Sequence, residues 1–195
     1  FGFVGWQTHC VTKPEADDRF RVVPDLLPIP TMLNVMGTTG ITAYYGLIEL
    51  GDPKPGETVL VSGAAGATGS VVVQIAKLKG CHVIGIAGGK EKCDWLLNAA
   101  GIDAVIDYKN QSINDELARL CPDGINVFFD NVGGETLEAA IENAADYARF
   151  VLCGSISNYN DDTPKPVLVS VLVTEETQFC VNGGLHTEFQ YLFTR

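Results

Sequence analysis

Val59, Leu60 and Val61 are apolar on successive residues, and Val127, Phe128 and Phe129 repeat the pattern. A strand with one face in water alternates apolar with polar. A strand apolar at every position is covered on both faces, as in a parallel sheet with helices above and below. From Thr58 onward such runs alternate with helical patterns. "TVLVSGA" precedes a helix over 70–79, "HVIGIAG" one over 91–100, "AVIDY" one over 112–121, and "NVFFDNV" one over about 135–145, before "ARFVLCGSI". Within the helices, Ile113, Leu117, Leu120 and Cys121, and likewise Leu137, Ala140, Ile141 and Ala144, recur at helical spacing and line one face.

Strand–helix–strand units joined by right-handed crossovers predict an α/β fold, a doubly wound parallel sheet of the Rossmann type. Its ligands bind at the carboxyl ends of the strands, near the point where strand order reverses. The flanks read differently. Residues 22–57 are rich in Pro and Gly with a helix expected over 42–50, "SNYNDDTPKPVL" is a polar loop, and "TQFCVNG" predicts one more strand.

Charge narrows the partners. Thirteen basic against 24 acidic residues leave the 195-residue chain at −11, with no Lys/Arg cluster for a phosphate backbone, so nucleic acid is not expected. Apolar runs such as Val71–Ile75 fall far short of the roughly 18 to 20 residues of a membrane span, so no membrane is expected either. Cys10, Cys81, Cys93, Cys121, Cys153 and Cys180 are scattered without a CxxC pair, which reads as reduced thiols in a cytoplasmic protein with no metal. His9, His82 and His186 have no ligand-like spacing. The chain opens "FGFVGWQTHCV" without an initiator Met or a signal pattern, and reads as a piece of a longer protein.

In "GAAGATGSVVVQIAK" three glycines stand three residues apart between the first strand and the helix that follows it. Glycine at 66 lets backbone approach a ligand, glycine at 69 lets helix pack on strand, and the helix N-terminus offers free N–H groups to an anion such as a pyrophosphate. The plain alternative is a turn required only for packing. The end of the second strand bears on which dinucleotide is bound. A carboxylate there accepts the ribose 2′-OH of NAD, whereas "IAGGKEKC" carries Lys90 and Lys92 around Glu91. Cations without a facing carboxylate predict NADP(H). An ordinary solvated helix start, capped by Glu91, is the competing reading. Tyr108 after the third strand, Asn131 after the fourth and 153–159 after the fifth lie along the same rim.

The set "GITAYYGL", "GAAGATGSVVVQIAKLKGC", "GGKEKC", "DNVGG" and "CGSISNYN", in this order, resembles the zinc-independent medium-chain dehydrogenase/reductases over about residues 3–160. Within them it is most similar to the branch of prostaglandin reductase (leukotriene B4 12-hydroxydehydrogenase), plant alkenal double-bond reductase and bacterial curcumin reductase. The resemblance implies NADPH-dependent reduction of a carbon–carbon double bond conjugated to a carbonyl, in a small-molecule enone or enal. It also implies a homodimer. Gly66, Ala67, Thr68 and Gly69 would hold the pyrophosphate, and Lys92 and Tyr108 the 2′-phosphate and its ribose. Asn131, with Cys153, Gly154, Ser155, Ile156, Ser157, Asn158 and Tyr159, would embrace the nicotinamide. Tyr159 would be the catalytic donor to the substrate carbonyl.

The same resemblance divides the chain into the tail of a GroES-like substrate domain and linker over 1–33, an NADP-binding domain over 34–182, and a C-terminal segment over 183–195 that fits the family poorly. Much of the substrate pocket would then be absent, and the polypeptide alone would bind cofactor with little or no turnover. A quinone reductase of the same superfamily and a non-catalytic NADPH-binding protein are the alternatives. A zinc alcohol dehydrogenase is disfavoured by the lack of closely spaced cysteines. A short-chain dehydrogenase needs Lys four residues after Tyr, which no tyrosine here has, and a P-loop fails because Ile84 and Glu91 occupy two of its required positions.

Overall fold

The computed structural model describes residues 8–11, 13, 25, 27–160 and 178–181. Six parallel strands form one sheet: β1 (Thr58–Val61), β2 (His82–Ala87), β3 (Ala104–Asp107), β4 (Ile125–Asp130), β5 (Ala144–Leu152) and β6 (Gln178–Val181). Their order is β3-β2-β1-β4-β5-β6, so the chain winds outward from β1 in one direction, then returns to its other side. The reversal lies between β1 and β4, as expected of a doubly wound sheet.

Five helices cover the two faces: α1 (Thr38–Tyr44), α2 (Ala67–Leu78), α3 (Lys90–Asn98), α4 (Ile113–Leu120) and α5 (Glu135–Glu142). The successive apolar residues of each strand divide between two cores. Val59, Val61, Val127 and Phe129 pack with Val72, Val73, Ala76 and Leu96, while Leu60, Phe128 and Phe150 pack with Leu117, Leu137 and Ile141 on the other side. α4 shows how locally these helices are specified. Ser112 accepts the Asp115 amide as its cap, Asp115 and Glu116 stand in the first turn, and Arg119 stands in the last, each suited to the helix dipole.

Three expectations are corrected. The helix expected over 42–50 starts at Thr38 and continues from Tyr45 to Gly51 as a π-helix, whose Gly46 lies against Phe129 and Val151 with no room for a Cβ. The helix expected over about 135–145 ends at Glu142, because Ile125 donates its amide to Asn143 O at 2.9 Å and pairs with Ala144, drawing 144 and 145 into β5. The first strand ends at Val61 and α2 starts at Ala67, so 62–66 form a turn. A strand is found within "TQFCVNG", pairing with β5 from Arg149–Gln178 to Leu152–Val181. Most of 1–33, and all of 183–195, lie outside the described residues.

Candidate functional site

A cleft of about 950 Å³ opens at the carboxyl ends of the strands, within the range of small-molecule pockets. Its wall takes Gly63, Ala65 and Gly66 from the turn after β1, Gly88 from the passage after β2, Lys92 from the first turn of α3, and Tyr108 and Ile113 from beyond β3. Val132, Gly133 and Gly134 after β4 complete it, with the first turn of α5 and the short 3-10 helix Ile156–Asn158 after β5.

Gly63 takes a φ of +57°, a left-handed conformation that glycine adopts without penalty. Gly66 then donates its amide back to Gly63 O at 2.8 Å and closes the turn. Gly69 packs α2 on this turn, since a Cβ there would stand 2.3 Å from Gly63 O. Ser70 N, on Gly66 O, is the first amide bonded at the head of α2. Those of Ala67, Thr68 and Gly69 precede it and, like all first-turn amides, have no partner inside the helix. The positive end of a 12-residue helix is thus aimed past Gly66, the arrangement that binds phosphate.

At the end of β2 the backbone is bare: Ala87, Gly88 and Gly89 carry no carboxylate. The Tyr108 ring lies over Gly88. Asp107 at the end of β3 accepts the Gly89 amide at 2.9 Å and the Asn110 side chain at 2.7 Å, and these donors hold its carboxyl below the ordinary range. Lys90 is spent on Asp94 at 2.5 Å, whereas Lys92 lines the cleft and makes no ion pair among the described residues. Glu135 and Glu138 also face the wall and were not anticipated from sequence, because their i,i+3 spacing on α5 reads as an ordinary helix start.

Beneath the turn after β4 lies a buried carboxylate for which the sequence carries little signal. Asp130, 1% exposed, accepts from Ser62 Oγ at 2.6 Å, from Val132 N at 3.0 Å and from Gly133 N at 3.0 and 3.1 Å. Burial pushes its carboxyl above the usual range against the pull of these donors. Its backbone carbonyl receives the amides of Cys153 and Gly154 at 2.9 and 3.1 Å. The only sequence signal was an Asp ending an apolar strand beside two glycines.

The expected residues therefore divide. Gly66, Lys92, Tyr108, Ile156, Ser157 and Asn158 meet in the wall. Ala67 and Thr68 stand at the head of α2, outside it. Asn131 is turned to β1, donating its side-chain amide to Ser62 O at 2.8 Å. Ser155 sits on Gly133, and Ser157 Oγ donates to Val132 O at 2.6 Å, so the loop after β5 lies down on the turn after β4. Tyr159 is 64% exposed and outside the wall, its hydroxyl accepting the Ser155 amide at 3.3 Å. Among the described residues no three His, Cys, Asp or Glu side chains are placed to share a metal ion, and no helix is long and apolar enough to cross a membrane.

Comparison with known proteins brings the cleft into context. The family model described as zinc-binding dehydrogenase matches residues 67–193. Bovine prostaglandin reductase 1 is 45% identical over 162 residues, covering 82% of this chain and 49% of that protein. A tobacco 2-alkenal reductase (NADP(+)-dependent) is 42% identical over 197 residues, covering 100% of this chain and 57% of that protein. The crystal structure of CurA in complex with NADPH from Vibrio vulnificus superposes with a TM-score of 0.73 at 41% identity, covering 78% of this chain and 47% of that one. The chain spans about half the length of the curated relatives it matches.

Proposed function

The chain belongs to the zinc-binding dehydrogenase family of the medium-chain dehydrogenase/reductases, and from that premise we propose that residues 34–182 are the NADPH-binding part of a reductase acting on carbon–carbon double bonds conjugated to a carbonyl. The observation that carries the reading is the end of β2: a bare backbone under Tyr108, with no carboxylate on residues 87–89, and Lys92 uncommitted in the wall. A 2′-phosphate needs this combination, and a 2′-hydroxyl would be better served by an acid there. The names of the relatives support the same class, since they are reductases of prostaglandins and 2-alkenals and one neighbour holds NADPH. The described residues offer no ligand set for the zinc in the family's name.

The residues fit the dinucleotide as follows. Gly66 and the amides at the head of α2 suit the pyrophosphate, Lys92 and Tyr108 suit the phosphorylated ribose, and the strand ends of β4 and β5 lie where the nicotinamide half would run. When bound, NADPH supplies a hydride equivalent to the β-carbon of the substrate. The protein must then offer a donor to the oxygen on which negative charge develops. We assign that role to the Tyr159 hydroxyl, whose one bond to Ser155 N accepts and leaves its own proton free to donate.

The test is a fluorescence titration of the chain with NADPH and with NADH, repeated on Lys92→Ala. Tighter binding of NADPH, reduced about tenfold or more towards the NADH value in the variant, supports the reading. Equal affinity for both nucleotides in the wild-type chain, or none, overturns it.

A further inference from the structure

A carboxylate withdrawn from water is tolerated only where donors replace its hydration, and an apolar side chain would fill the same space without that demand. Asp130 is such a carboxylate, and its donors are not scattered. Ser62 brings the end of β1, Val132 and Gly133 bring the turn that lines the cleft, and through its own carbonyl Asp130 holds Cys153 and Gly154 at the end of β5. Ser62 Oγ in turn accepts the Asn131 amide at 2.7 Å, so hydroxyl and carboxylate together take up three successive N–H groups, 131 to 133, in one tight turn.

That turn is the seat of the next element. Gly133 and Gly134 have φ of +72° and +57°, and their missing side chains leave the space taken by Ser155 and Ser157. Val132 O accepts from both Ser157 N and Ser157 Oγ, at 3.1 and 2.6 Å. Without the carboxylate, the amides of Val132 and Gly133 would lose their acceptor and the carbonyl that latches Ser157 would lose its direction. Gly63, which lines the cleft beside Asn131 and Val132, follows Ser62 directly, so the same pair also reaches the turn after β1.

We propose that Asp130, acting with Ser62, is the positioning residue of this cleft, setting the turn after β4 and, through Val132 O, the seating of 155–158. The proposal concerns how the site is held and rests on the reading of the cleft as a dinucleotide site only for its effect on binding. Asp130 touches no ligand-facing space itself; it acts through the backbone of Val132 and Gly133.

The experiment compares wild type, Asp130→Asn, Asp130→Ala and Ser62→Ala by amide hydrogen exchange without nucleotide, and by NADPH titration. In Asp130→Ala, exchange in 131–134 and in 155–158 rises about tenfold or more, with α3 and α4 unchanged. Asp130→Asn, which keeps one acceptor oxygen, recovers part of the protection, and NADPH affinity falls in the same order. Should Asp130→Ala fail to fold, Asp130→Asn and Ser62→Ala carry the comparison. Unaltered exchange at 155–158 in these variants overturns the proposal, as does an equal rise throughout the chain, which would mark Asp130 as a general stability residue. Loosening of both segments in a chain that binds no nucleotide supports the positioning role and counts against the dinucleotide reading alone.

Discussion

The ring of Tyr108 lies on Gly88, so that a Cβ at 88 would stand 2.6 Å from the ring edge and 2.8 Å from the hydroxyl. The side chain is half-exposed at the cleft mouth, and can swing aside at little cost. Gly88→Ala therefore leaves stability within about 0.5 kcal/mol of wild type and displaces the ring. NADPH and NADH should both bind several-fold more weakly, with their ratio unchanged because Lys92 is untouched. Paired titrations of Gly88→Ala and Lys92→Ala separate the two contributions.

Gly69 is the opposite case. The atoms a Cβ would meet are backbone, Gly63 O at 2.3 Å and Ala64 Cα at 2.9 Å, and neither can yield without moving α2 off the turn. Gly69→Ala is expected to cost about 2–4 kcal/mol, read as a lower midpoint in urea with the slope unchanged.

Asp103 ties the start of β2 to α2, accepting Lys77 Nζ at 2.8 Å through each oxygen and Val83 N at 2.7 Å. Burial opposes its ionisation, but Lys77 and the Val83 amide outweigh burial and hold the carboxyl below its ordinary 3.8. A carboxylate depressed on folding stabilises above its unfolded pKa, and the stability is lost as pH falls through the folded value. Asp103→Asn should therefore cost about 1 kcal/mol at pH 7, the pair being one-third exposed and screened, with the difference shrinking below about pH 4. Thermal melts of both proteins from pH 7 to pH 2.5 measure it.

The proposed substrates are electrophiles that alkylate thiolates, and the described cysteines differ sharply in their exposure to such attack. Burial pushes Cys121 up to about 11. Burial, reinforced by a neighbouring carboxylate, raises Cys81 beside Glu57, Cys93 beside Asp107 and Cys153 beside Asp130. Cys10 is exposed. At pH 7.5 a maleimide should label Cys10 ahead of Cys81, Cys93, Cys121 and Cys153, which react more than about a hundredfold more slowly until the chain is unfolded. Peptide mapping of early time points gives the order.

The layered architecture was legible because its cause is local. Strands covered on both faces must be apolar at every position, as 59–61 and 127–129 are, and each helix must repeat its apolar residues at its own period. The glycine turn and the bare, lysine-bearing end of β2 were legible for the same reason, since conformation and charge there depend on a few consecutive residues.

Where a boundary or a contact depends on a partner distant in sequence, no local pattern announced it. Ala144 has a helix-compatible neighbourhood and becomes strand because Ile125 pairs with it; three residues later Tyr147, at a φ of +61°, adopts a conformation costly for a bulky side chain. The partners of Tyr159 and Asn131, the Ser155 amide and the Ser62 carbonyl, are likewise set by the fold.

By itself the sequence determined a doubly wound sheet, the glycine turn after its first strand and the lysines that follow β2, because periodicity, glycine and charge act over short range. Tertiary structure alone decided which expected residues share one wall, and that Asp130 lies buried under three strand ends. Both follow from packing and from the need to satisfy buried polar groups, which only the assembled sheet defines.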